Sequence, residues 1–82
     1  MTNYVVVIRY SFDADVPVFI FNNDVECEDF IRKEFAKETR VASDIDETFI
    51  ADDGTYACIT YRDNETTEWY ATYTTDMRGA IE

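Results

Sequence analysis

A chain of 82 residues makes one domain, 1–82. It buries only about 60–65% of the surface its unfolded form exposes, which leaves little room for a catalytic cleft beside a core. With 46% hydrophobic and 16% aromatic residues it is not a disordered acidic tail, which lacks such aromatics. Its formal charge of −11, from 18 acids against 7 bases, repels nucleic acid and anionic lipid and attracts basic surfaces.

The charge is uneven. Residues 1–41 hold 8 acids and 5 bases; residues 42–82 hold 10 acids and 2 bases. The stretch 44–53 is half acidic, and no Lys or Arg lies between Arg40 and Arg62. The apolar runs fall far short of the ~20 residues that cross a bilayer. Arg9 follows the apolar start, with no small-residue cleavage site after it. The expectation is a cytoplasmic protein with Cys27 and Cys58 as reduced thiols.

In chain order, residues 4–10 read as a strand rich in β-branched and aromatic side chains. Both its faces are largely apolar, which predicts a central position. A polar connection, 11–15, leads to a second strand at 16–21, where Pro17 must sit at the start or on an edge. The two form a hairpin. Asn23 with Glu26 fits a capping box, with Asp24 as the other candidate cap. A helix follows to about Val41, with Cys27, Phe30, Ile31 and Phe35 at helical spacing. Acids crowd its first turns and bases its later ones, which suits the macrodipole and predicts the pairs Glu28–Arg32, Asp29–Lys33 and Glu34–Lys37.

An acidic link, 42–47, precedes a short strand at 48–51. Asp53-Gly54 marks a hairpin turn, because glycine tolerates positive φ. Residues 55–62 form a strong strand, 63–65 a polar turn, 66–75 the last strand and 76–82 a tail. The fold class is α+β: an antiparallel sheet of four to five strands in the order β-β-α-β-β-β, with one helix packed on one face. Thirteen aromatics exceed what one helix covers. The second sheet face is therefore expected to associate, with a homodimer as one outcome.

Most site chemistry is absent from the sequence. There is no histidine, hence no triad base and no imidazole ligand. The two cysteines lack zinc spacing. Cys27 near a helix N-terminus suits a lowered thiol pKa, but a small buried hydrophobe explains it better. Asp44, Asp46 and Glu47 open like a calcium loop, yet Phe49 stands where that loop needs glycine. No phosphate-cradling glycine loop and no basic stripe exist. The sequence therefore predicts no enzyme, cofactor or metal.

The acids of the C-terminal half remain: Asp44, Asp46, Glu47, Asp52, Asp53, Asp63, Glu65, Glu68 and Asp76. Held on strands and turns, they can imitate the phosphates that a nucleic-acid-binding protein grips. Tyr56, Trp69 and Tyr70 are the expected aromatic anchors on the rim. The simpler reading is a solvated acidic surface that keeps the chain soluble.

Tyr4-Val-Val-Val-Ile-Arg-Tyr-Ser-Phe-Asp-Ala-Asp-Val-Pro-Val, the acidic helix entry and Asp52-Asp53-Gly54-Thr55-Tyr56-Ala57 resemble short acidic proteins of Firmicutes phages and mobile elements. More loosely, they resemble inhibitors of the anti-CRISPR type. That resemblance implies a non-catalytic inhibitor in the bacterial cytoplasm, bound to a basic nucleic-acid-binding protein such as a CRISPR effector. The alternative is a dimeric adaptor that binds through an aromatic sheet face, with charge serving solubility.

Overall fold

The computed structural model describes residues 3–74; the expected tail lies outside them. The elements are β1 (Asn3–Tyr10), β2 (Val18–Phe21), α1 (Asp24–Val41), β3 (Ile45–Ile50), β4 (Tyr56–Tyr61) and β5 (Thr66–Thr74). The strands form one antiparallel sheet in the order β2-β1-β5-β4-β3. The helix covers one face, giving the α+β fold expected.

β1 is central, as its two apolar faces require. It pairs with β2 on one side and, over eight positions, with β5 on the other. β2 begins at Val18 rather than Val16. Pro17 has no N–H to give; only its carbonyl joins the ladder, accepting from Ile8 N–H at 3.0 Å. β3 begins at Ile45, three residues before the expected start. A bulge between Ile45 and Glu47 absorbs Asp46, and Ile45 packs against the core.

Asn23 caps α1, its side chain accepting from Glu26 N–H at 2.9 Å. The Glu26 carboxylate reaches back to the Asn22 N–H, one residue beyond the amide that a capping box uses. The expected pairs Glu28–Arg32, Asp29–Lys33 and Glu34–Lys37 are not formed. Arg32 meets Asp29 at 3.9 Å and extends over the β3–β4 turn. Glu28 accepts from the Tyr73 hydroxyl at 3.3 Å.

The core joins Val6, Ile8, Ala57, Ile59, Tyr61 and Trp69 of the sheet to Cys27 and Ile31 of the helix. Trp69 does not stand on a rim, as expected. It is 3% exposed and meets Phe35 edge-on at 6.1 Å. Strand alternation puts Trp69 on the same face as Ala71 and Tyr73, and α1 covers that face.

No described element covers the opposite face. The pairing registers place Val5, Val7, Val18, Ile20, Phe49, Tyr56 and Tyr70 there, with Ile20 77% exposed. The two edges differ. The Ile8–Pro17 bond sets the phase of the ladder, so Val18 and Ile20 turn their backbone polar groups outward. No charge guards this edge. The β3 edge carries its bulge, Asp46 and Glu47, the usual protections of an exposed strand.

Candidate functional site

Asp76 lies outside the described residues; the other acids singled out by the sequence fall into three places. Asp52 and Asp53 lie in the β3–β4 turn; Asp63 and Glu65 lie in the β4–β5 connection. β4 separates the two turns, about 20 Å for a six-residue strand. Asp44 joins the second group, since its carbonyl accepts from Arg62 N–H at 2.8 Å. Glu47 and Glu68 lie on the open face, and Asp46 lies at the bulge. The acids thus form two poles with sparse charges between them.

The first pole contains a cation. Gly54 has φ +77°, and the Arg32 guanidinium lies 2.9–3.1 Å from where a Cβ would stand. Arg32 also makes a long 3.5 Å contact with the Asp52 carbonyl oxygen. Asp53 accepts from the Thr55 hydroxyl (2.7 Å) and N–H (3.0 Å). Those bonds hold its carboxyl below the usual range, with a smaller pull from Arg32.

The second pole is concave. A cleft of about 470 Å³ opens where the end of α1 meets the β4–β5 turn, lined by Phe12, Glu38, Asp44, Tyr61, Asp63 and Glu65. An inner compartment of about 150 Å³ shares Phe12, Glu38 and Tyr61 with it and runs beneath the helix to Trp69. Phe12 lies between Tyr10 (tilted, 5.3 Å) and Tyr61 (edge-on, 6.3 Å). Tyr61 donates to Glu38 Oε2 at 3.1 Å. Its one proton is thereby used, so Thr67 Oγ1 donates to the Tyr61 oxygen across 2.9 Å. This relay fixes Glu38 at the junction of the two spaces.

Burial pushes the Tyr10 phenol up, and the charges of Glu34, Glu38 and Asp13 push it further. The Tyr61 phenol is also raised, first by burial, against the lowering bond from Thr67, with Glu38 and Asp44 adding to the rise. Ser11 clips the end of β1 to the start of β5: its hydroxyl donates to Glu65 and accepts from Thr66 N–H at 2.7 Å. Asp63 accepts from Glu65 N–H at 3.0 Å. The acids of this pole are positioned by the fold.

On the open face, Phe49, Tyr56 and Tyr70 form a row of tilted rings with centroids 5.9 and 5.2 Å apart. Tyr56 donates to Glu68 at 2.8 Å. Burial and the Glu68 carboxylate raise both the Tyr56 and Tyr70 phenols. Of the expected anchors, these two are accessible and Trp69 is not.

Cys27 is buried, and burial with Asp24, Glu26 and Glu28 raises its thiol. That reverses the effect its place near the helix N-terminus would give. Among the described residues, no three Cys, Asp or Glu groups are placed to hold a metal ion, and no helix is long and apolar enough to cross a membrane. Tyr10, Phe12, Glu38 and Tyr61 were not singled out from the sequence as site residues. Phe12, an aromatic inside the polar segment 11–15, was the available signal. No family model, curated protein or solved structure matches the chain.

Proposed function

We propose that this chain is a non-catalytic acidic interaction protein that occupies the basic, nucleic-acid-binding groove of a target protein. By resemblance, it is an inhibitor of the anti-CRISPR type from a phage or mobile element, acting in the bacterial cytoplasm on a target such as a CRISPR effector. One observation carries the reading. The described residues hold 16 acids and 6 bases, yet form a single ion pair, Arg32–Asp29. Asp53, Asp63 and Glu65 are tied instead to turn backbone and hydroxyls. Their charges are held in place, and Asp63 and Glu65 have no ion-pair partner among the described residues, as a rigid imitation of phosphates requires.

Capture of CRISPR effectors and other basic nucleic-acid-binding proteins on the immobilised chain, across a salt series, tests this. Binding should weaken steeply with salt, as duplex binding does, and duplex should compete for it. Asp44, Asp63 and Glu65 changed together to Asn, Asn and Gln should weaken capture. Asp52→Asn with Asp53→Asn reads the opposite pole. Salt-insensitive capture, or capture indifferent to both sets, refutes the proposal.

A second reading, a dimeric adaptor using the open sheet face, draws on the exposure of Val18, Ile20 and Phe49 beside the Tyr56–Tyr70 pair. Sedimentation equilibrium decides it. A dimer that Ile20→Lys converts to monomer supports this reading; a monomer at every concentration removes it.

A further inference from the structure

We infer that the bare edge of β2 is the docking site for an extended, basic segment of the partner, which joins the sheet as a sixth strand. From the acidic-interaction reading above the inference takes only the basic character of that partner; the site is separate from both acidic poles. Three observations meet at this edge. The first is the backbone. The Ile8–Pro17 bond makes Phe19 and Phe21 the residues that bond to β1, so the N–H and C=O of Val18 and Ile20 point outward. The next amide of that phase, the Asn22 N–H, is already taken by the Glu26 carboxylate at 2.9 Å. An added strand is thereby registered on Val18 and Ile20, whose main chain offers it donors and acceptors.

The second is a groove beside the strand. Phe19 and Phe21 share the helix face with buried Val6, and Phe30 meets their rings at 4.9 and 5.2 Å. A groove of about 380 Å³ is lined by Phe21, Phe30 and the α1 side chains Glu26, Asp29 and Lys33. The four helix residues form one stripe along α1. Among the described residues the lining takes none from β1, so the groove lies on the outer side of β2. A new strand stands about 4.8 Å outside β2, and its residue opposite Phe21 directs a side chain over this groove. The third observation is charge. Between Arg9 and Arg32 the sequence holds six acids and no base. Asp13 and Asp15 precede β2, and Asp24 and Glu26 follow it, so both ends of an added strand meet carboxylates. Lys33 is the one base lining the groove. A second copy, itself carrying −11, is repelled from such an edge. A segment with bases around apolar residues is attracted to it.

The probe is the peptide acetyl-Lys-Arg-Phe-Val-Lys-Val-Lys-Arg-amide. Antiparallel to β2, it sets its phenylalanine opposite Phe21 and its valines opposite Ile20 and Val18. Titration of the whole chain, followed by NMR, should give one saturable curve. Amide exchange should slow at Val18 and Ile20 and stay unchanged at Thr48 and Ile50 on the β3 edge. Methylating the amides of the two valines, which face β2, should weaken binding about tenfold or more through the lost hydrogen bonds. The isomer methylated at the phenylalanine and at the lysine between the valines has the same charge and mass, but those amides face away from β2. It should keep the affinity of the unmethylated peptide. The peptide with every base replaced by glutamate should not bind.

Equal binding of the two methylated isomers overturns strand addition, because charge alone treats them alike. Slowed exchange at Thr48 and Ile50 instead overturns the choice of edge. Binding of the glutamate peptide overturns the basic character of the segment. A dimer at neutral pH that protects the Val18 and Ile20 amides and resists the peptide assigns the edge to a second copy and overturns the proposal. Salt-sensitive capture of a basic protein without any peptide binding removes the edge site and leaves the broader function standing. Peptide binding without any such capture refutes the broader function and leaves the edge.

Discussion

Replacing Tyr61 with Phe removes one oxygen from the relay Thr67–Tyr61–Glu38. Tyr61 is 7% exposed and Thr67 3%. Without the phenol, the buried Thr67 hydroxyl has no described side-chain partner. A buried polar group left alone costs ~1–3 kcal/mol. Glu38 is half-buried and regains water, so its loss adds little. The expected penalty is therefore about 2 kcal/mol. Thr67→Val alone should cost less, about 1 kcal/mol, because Tyr61 still donates to Glu38. The pair together should cost less than the two penalties summed, since no orphaned hydroxyl remains, and a coupling of about 1 kcal/mol should appear. Urea denaturation of the four proteins, with unchanged m values, measures this directly. Strictly additive penalties, or a Tyr61→Phe protein as stable as the parent, would refute the relay and with it the fixed position of Glu38.

Gly54→Ala should destabilise by about 1–2 kcal/mol for its left-handed backbone. The nearby Arg32 guanidinium, the end of a flexible chain, should move aside at little further cost, so the same penalty is expected in an Arg32→Ala background. Asn23→Ala should cost about 1 kcal/mol through the lost helix cap, read as a lower thermal midpoint; an unchanged midpoint contradicts the cap. Burial pushes the Tyr73 phenol up to about 12, with Glu28 adding to it, and Tyr10, Tyr56, Tyr61 and Tyr70 move the same way. The unfolded chain sheds these protons near its ordinary value of about 10, while the folded chain keeps them. Their contribution is thus whole below pH ~10 and declines as pH rises from ~10 through ~12. Denaturation midpoints that stay flat across that window, with tyrosinate absorbance as the monitor, would contradict it.

The helix was legible because its signals are local. Asn23, Glu26 and the spacing of Cys27, Phe30, Ile31 and Phe35 all act within a few turns. β1 was legible as central because Val5 and Val7 are apolar on the face opposite Val6 and Ile8. Its pairing with β5 was not, since nothing within either segment names a partner some sixty residues away. β3 began early because the packing of Ile45 outweighs the weak strand preference of its acidic neighbours. Trp69 was expected on the rim and is buried, because which face of β5 the helix covers depends on the whole sheet.

The separation of the acids into two poles follows from topology alone. Successive turns of an antiparallel meander lie at opposite ends of the strand between them, so Asp53 and Asp63 could not meet across β4. The cleft was hidden for a different reason. Phe12, Glu38 and Tyr61 come from a loop, a helix end and a strand, and only the closed fold brings them together.

The unequal edges of the sheet have a consequence for storage and handling. Among the described residues no lysine, bulge or covering segment stops one molecule's Val18–Phe21 from adding to another's, which leaves mutual repulsion of the net charge as the safeguard. Near the isoelectric pH of about 4.1 that repulsion vanishes, while the bare strand keeps its hydrogen-bonding capacity. Fibre growth should then start from β2. Turbidity and thioflavin fluorescence should climb there in the parent protein and stay low in an Ile20→Lys variant.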